Sequence, residues 1–319
     1  MEIKFALSGK LGFAPQITAI LNSIDEAICA HNHYSLRHPA DIFHFALSDV
    51  VRDFLALLEV IEPLEQKTQS EMPELSEQSV KLFKELLAGF SRYIDCTYEV
   101  IVALSDERDR PNPGKFLRVW LKEQGYKAGN LYYSIIKRDV DFFTKLNDQL
   151  KHSSNSLKPV TVLINSQPCL GYFLEAADSN GILGPSELFH KGSAGTRTAN
   201  SFNRDLRLLY HSVYSAADAL KRAVEYHLKE VHNSDRTENS ERQYDDVFCK
   251  NLFDSLSRLP QVFYSSEAGK TVPIAHVEEQ KIRRLLIFTP IKAPILYGTL
   301  RTSSGGTIGR GGRFQVPFP

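Results

Sequence analysis

Long apolar runs, cysteine pairs and net charge are all missing from this 319-residue chain. No window approaches the roughly 18 apolar residues that a membrane-spanning helix needs. The opening MEIKFALSGKLGF holds too short an apolar run for a secretory leader. The four cysteines, Cys29, Cys96, Cys169 and Cys249, form no C-x-x-C pair and match no zinc spacing. Three of them stand in apolar, helix-like contexts, as buried free thiols do in a reducing compartment. The expectation is a cytoplasmic protein with no membrane contact, no metal and no cofactor. The 38 basic residues balance 38 acidic ones, which excludes a uniformly basic nucleic-acid coat and leaves only local patches. No G-x-S-x-G, H-E-x-x-H or dinucleotide glycine pattern occurs. Gly269-Lys270-Thr271 lacks the earlier glycine of a phosphate loop, because position 264 is tyrosine, and Pro273 opposes the helix that should follow.

What is present reads as globular: 42% hydrophobic and 24% charged residues, enough for one large domain or two ordinary ones. Met1–Leu7 reads as a short strand. Ile17, Ile20, Leu21, Ile24 and Ile28 recur at helical spacing, giving a helix to about Ala30. Pro39 suits the first turn of a second helix to about Ile61, apolar on most sides and therefore central. A third helix spans about Ser76–Leu104, followed by a proline-rich charged loop from Ser105 to Gly114. A short helix near Phe116–Glu123 leads to another running from Asn130 to about His152.

The period then changes. Val160–Asn165 and Cys169–Glu175 read as strands, and Asn180-Gly181 is a hairpin signal. Helical patterning resumes from Thr198 to His232 and again, after a charged loop, to about Leu259. Val262–Tyr264 and Leu285–Phe288 are strand-like. The predicted fold class is mainly α: a helical bundle over residues 1–260 with a small β-meander insert near 158–186. A short β-containing C-terminal extension, 261–319, ends in a basic tail.

One constellation has a chemical use. Arg204 and His211 lie seven residues apart on the Thr198–His232 helix, an advance of about 700° that returns to within about 20° of the same face. The apolar stripe (Phe202, Leu206, Leu209, Val213, Leu220) lies opposite, so the pair shares its face with Arg207, Ser215, Asp218 and Arg222. A guanidinium can fork onto a phosphate and an imidazole can move a proton near neutral pH. Together they suffice for metal-free RNA cleavage by attack of the 2′-hydroxyl on its own phosphate. The alternative reading of the same residues is a solvated helix face carrying ordinary charges.

Arginine, a polar residue and then histidine on a long helix of a small bundle resembles the HEPN superfamily, many of whose members are RNases of toxin, abortive-infection or CRISPR systems. The resemblance rests on Arg204, Asp205 and His211. It implies a homodimer in which Arg204 binds phosphate, Asp205 tunes and His211 is the acid/base, in an antiviral-defence setting.

RNA contacts are assigned on this reading to Arg207, Arg222, Lys151, His152, Arg310 and Arg313. Lys151 and His152 close a long helix, where the negative end of the dipole equally explains them. His31 and His33 lack metal-spaced partners and read as surface residues. From Lys281 onward the chain has seven basic residues and no acidic one, so residues 1–280 carry minus seven. The segment GRGGRF resembles one RGG-type RNA element. With Phe314, Val316 and Phe318, the tail equally suits docking on a protein partner. The two function classes are thus a metal-independent endoribonuclease or RNA-binding protein, and a non-catalytic helical scaffold or sensor that recruits a partner through its tail.

Overall fold

The computed structural model describes every residue except 1, 10–11, 69–70, 74, 76, 107–115, 153, 193–195, 233–245, 282, 295–299, 305–316 and 318–319. Helices account for 55% and strands for 21% of the structure. The fold is therefore mixed α/β, and the expectation of a helical bundle with a small insert and a short C-terminal extension is corrected. In chain order the elements are β1 (Ile3–Ala6), α1 (Ile17–Asn22), α2 (His31–Tyr34), α3 (Pro39–Glu65), α4 (Glu77–Ala103), α5 (Leu117–Glu123) and α6 (Lys127–His152). There follow β2 (Ser156–Ile164), β3 (Gln167–Ala177), β4 (Leu183–Pro185), β5 (Asn200–Ser201), α7 (Phe202–His227), α8 (Val247–Arg258), β6 (Thr271–Glu279), β7 (Arg284–Lys292) and β8 (Leu300–Ser304). No helix among the described residues is long and apolar enough to cross a membrane.

Two sheets form by long-range pairing. The order β4-β3-β2-β8, with β5 pairing the middle of β3, makes a curled half-barrel. The second sheet has the order β1-β7-β6. The strands near residues 158–186 are thus joined by β8 from the C-terminal stretch, with Val160 opposite Ser304. The N-terminal strand is joined by β7, with Phe5 opposite Leu286. Local patterning carries no signal for such partners.

Strand β6 was not expected, because Pro273 argues against a helix and weakens a strand. Pro273 stands directly opposite Pro290 of β7. Two opposed prolines fit a non-hydrogen-bonded pair of an antiparallel ladder, where neither strand needs the missing N–H. Strand β1 covers β7 only through Phe288, so no ladder bond is lost on the other side of Pro290 either. The strand-like Val262–Tyr264 turned out to be irregular, and the helix expected over 17–30 breaks after Asn22.

Strand β3 explains its own near-continuous apolar sequence. Leu170, Tyr172 and Leu174 enter the main core with the helices, while Cys169 and Phe173 face a second core with Val160, Val162 and Tyr264. A strand buried on both faces has no polar side to alternate with. Helix α3 begins at Pro39 as expected, with the His38 imidazole accepting from Ala40 N–H. Helix α7 is capped by the Ser201 hydroxyl, which accepts from Arg204 N–H at 3.3 Å. It is buried on nearly every side, Arg207 and Ser215 included, so its expected solvated face is largely interior.

Gly171 lets β5 approach β3. A Cβ there would sit 2.1 Å from the Asn200 carbonyl oxygen and 2.6 Å from the Tyr264 hydroxyl. At Gly89 the clash is with the Asp53 carboxylate, a side chain that can swing away. Gly171→Ala should lower unfolding stability by about 3 kcal/mol, at the upper end of small-to-large costs, and by clearly more than Gly89→Ala. Urea denaturation of the two variants checks the ranking.

Candidate functional site

The N-terminal turn of α7 carries two of the predicted trio, Arg204 and Asp205, into the interior. Asp205 is fully buried and receives the Tyr172 hydroxyl at 2.6 Å. Arg204 donates to Asp205 Oδ1 at 2.8 Å, and the same nitrogen lies 3.7 Å from Glu267 Oε1. Only 17% of the Arg204 side chain is exposed. Glu267, also fully buried, accepts from Ser201 N–H at 3.0 Å, the Ser201 hydroxyl at 2.6 Å and Tyr264 N–H at 3.0 Å. Two carboxylates thus meet the positive end of the α7 dipole. Burial pushes both carboxyls up, against the pull of Arg204. Burial also works against the Arg204 charge, but Asp205 and Glu267 more than offset it and hold its pKa above the ordinary value.

A second buried group lies beside the first. Glu65, the last residue of α3, accepts from Leu170 N–H at 2.7 Å. Burial raises its pKa to about 8, opposed by the Leu170 hydrogen bond and the Arg207 charge. Arg207 is interior: it donates to the Asn203 carbonyl at 2.6 Å and the Leu259 carbonyl at 2.7 Å, beyond the end of α8. It caps a helix end from within the core. His190 is wholly buried, its Nε2 accepting from Leu174 N–H at 2.8 Å. Burial lowers its pKa to about 3, aided by the Lys270 charge.

His211 does not join Arg204. Its ring lies 4.9 Å from Phe288 of β7 and 5.7 Å from Phe5 of β1, against these two paired strands. Its Nε2 is buried with no hydrogen-bond partner among the described residues. Burial lowers its pKa, against the nearby Asp139 carboxylate. Among the described residues, Arg204 and His211 share no hydrogen-bond or ion-pair partner. Arg222 is exposed and donates to Asp218 at 2.8 Å, one turn away. Lys151 is exposed and acts on Asp95 of α4, not on His211. His152 ends α6, its side chain outside the described set, and Arg310 and Arg313 lie outside the described residues.

Of the site residues that sequence reasoning missed, Glu65 left a trace. It falls four residues after Ile61 and seven after Leu58, on the apolar stripe of α3, where a carboxylate demands a buried partner. Glu267, Tyr172, Lys270 and His190 sit on strands and turns, where no periodicity marks them.

The outer helical layer has a different character. Helices α4 and α6, closed at one end by the start of α5, enclose a groove of about 470 Å³. Its floor is Ile94, Ile136 and Val140, with Asp95 and Asp148 toward one end. Arg118 and Lys137 lie over the Tyr133 ring at the other, at 4.5 and 5.8 Å. Phe116, at its mouth, is 78% exposed.

No family model matches the chain, and neither a curated protein nor a solved structure was found that resembles it.

Two measurements test this geometry. Arg204→Met leaves Asp205 and Glu267 buried without their cation and should cost about 3–5 kcal/mol in chemical denaturation. Arg222→Met should change stability by less than about 0.5 kcal/mol. For Glu65, the folded pKa lies above the unfolded one, so its contribution is complete below the unfolded value and is lost as pH rises through about 8. His190 has the opposite sense, its folded pKa lying below the unfolded value, and loses stability as pH falls below about 6.5. Between pH 6.5 and 8 only the Glu65 slope remains of these two. Stability should drop by about 1.5 kcal/mol there, and Glu65→Gln should flatten the drop.

Proposed function

We propose that this chain is a non-catalytic binding protein, a scaffold that recruits a protein partner, and not a ribonuclease built on Arg204 and His211. The observation that carries the reading is the compensation of Arg204. The guanidinium that an RNA phosphate needs is already held by Asp205 and contacted by Glu267, both out of reach of water. A phosphate arriving there would have to displace two buried carboxylates of its own sign, leaving them unpaired. The imidazole that should move the proton is packed edge-on against Phe288 instead of sharing a cleft with Arg204. A general acid or base must come within hydrogen-bond reach of its proton.

The thiols support the same reading. Burial, with Glu26 and Asp25 for Cys29 and with Glu99 and Asp95 for Cys96, raises both to about 11, away from nucleophilic thiolate. What the surface of the helical layer offers is a partly apolar groove with charge at both ends, which suits recognition.

The test incubates the full chain with RNA in EDTA and assays 2′,3′-cyclic phosphate ends. Wild type and His211→Ala should give the same background. Cleavage by wild type that disappears in a folded His211→Ala variant, judged by circular dichroism, would overturn the proposal.

A further inference from the structure

The groove between α4, α5 and α6 is long and open along its side. Tyr133 and Asp148, which both line it, lie fifteen residues apart on α6, about 22 Å along the axis. That length suits a helical peptide of about four turns better than a compact small molecule. Its floor of Ile94, Ile136 and Val140 is the width of one apolar stripe.

Charge chooses the occupant. Asp95 and Asp148 stand close enough to repel, and among the described residues neither has a cation within ion-pair distance. Burial raises the Asp95 pKa; Lys151 lowers it and Asp148 raises it further. Asp141, also on the groove wall, is bound by Lys145 at 2.6 Å and adds nothing free. At the opposite end Arg118 and Lys137 are cationic and their aromatic partner Tyr133 is already covered. The groove is thus negative at the α6 C-terminal end and positive at the α5 end.

On the reading of the chain as a binding scaffold, we infer that this groove is the docking site for a basic amphipathic helix of a partner protein. The apolar stripe of that helix lies on Ile94, Ile136 and Val140, and its lysine or arginine side chains reach Asp95 and Asp148. The helix dipole sets the direction: the positive N-terminus lies toward Asp148 and the negative C-terminus toward Arg118 and Lys137. The occupant therefore runs antiparallel to α6.

The chain has one tryptophan, Trp120, buried in α5 at the basic end of the groove. It makes an internal reporter. The probes are two synthetic 16-residue helices with one leucine stripe, flanked over the N-terminal half by lysine in one and by glutamate in the other and by neutral glutamine elsewhere, each labelled at either terminus. The lysine peptide should bind the full chain at least about tenfold more tightly than the glutamate peptide in an anisotropy titration. The Asp95→Asn/Asp148→Asn double variant should lose about tenfold for the lysine peptide. Those substitutions relieve repulsion, so the variant keeps its fold. Energy transfer from Trp120 should be stronger to the C-terminal label.

A lysine peptide that binds wild type and double variant alike, or that transfers energy more strongly to its N-terminal label, overturns the assignment to this groove in this orientation and leaves the scaffold reading standing. Spermidine that binds through Asp95 and Asp148 while neither peptide binds overturns the helical occupant. RNA cleavage lost in His211→Ala overturns the scaffold reading itself, independently of either peptide.

Discussion

Four ionisable side chains of the α7 region, Arg204, Asp205, Arg207 and Glu267, are taken out of water together, and the rest of the architecture follows from satisfying them. A charge buried alone costs far more than one interaction returns, so each draws a partner from elsewhere in the chain. Tyr172 reaches in from β3, Glu267 from the turn before β6, Glu65 from the end of α3 and the Leu259 carbonyl from beyond α8. These segments span just over two hundred residues of the chain, from Glu65 to Glu267, yet all meet the first two turns of one helix. The network gives specificity of assembly, because the charges compensate one another in only one arrangement of these segments, even though Arg204 Nε and Glu65 Oε2 are buried there without a hydrogen bond among the described residues.

The same compensation separates interior from surface chemistry. Groups with shifted proton affinities, Glu65, Asp205, Glu267 and His190, cluster where sheet meets helix, and they spend their hydrogen bonds holding the two layers together. Perturbed ionisation often marks a reactive centre. Here each group has an internal partner and water is excluded around it. The outer helices instead leave Asp95 and Asp148 near one another without an ion pair among the described residues, above an apolar floor. The proposed recognition belongs to that layer, and cohesion to the other.

The long helices were legible because they announce themselves locally. Apolar residues at three- and four-residue spacing and Pro39 at a first turn each act within one or two turns. The β2–β3 hairpin was legible for a similar reason. The surroundings of Arg204 and His211 were not legible because helical geometry fixes only the angle between two residues. Whether the face they share is wet or dry depends on what packs against it, and here β1, β7 and the 264–270 segment cover it.

The sequence by itself determined the lengths of α3, α4 and α6 to within a few residues, the strand character of β2 and β3, and the balance of charge. These are consequences of side-chain period and composition, properties of neighbouring residues. Only the tertiary structure decided that a seven-residue-distant arginine and histidine serve different neighbours, that the C-terminal strands complete two sheets, and that Glu65 is held near neutrality. Strand partners and dielectric surroundings are set by segments that approach from afar, and no local pattern encodes the identity of a distant neighbour.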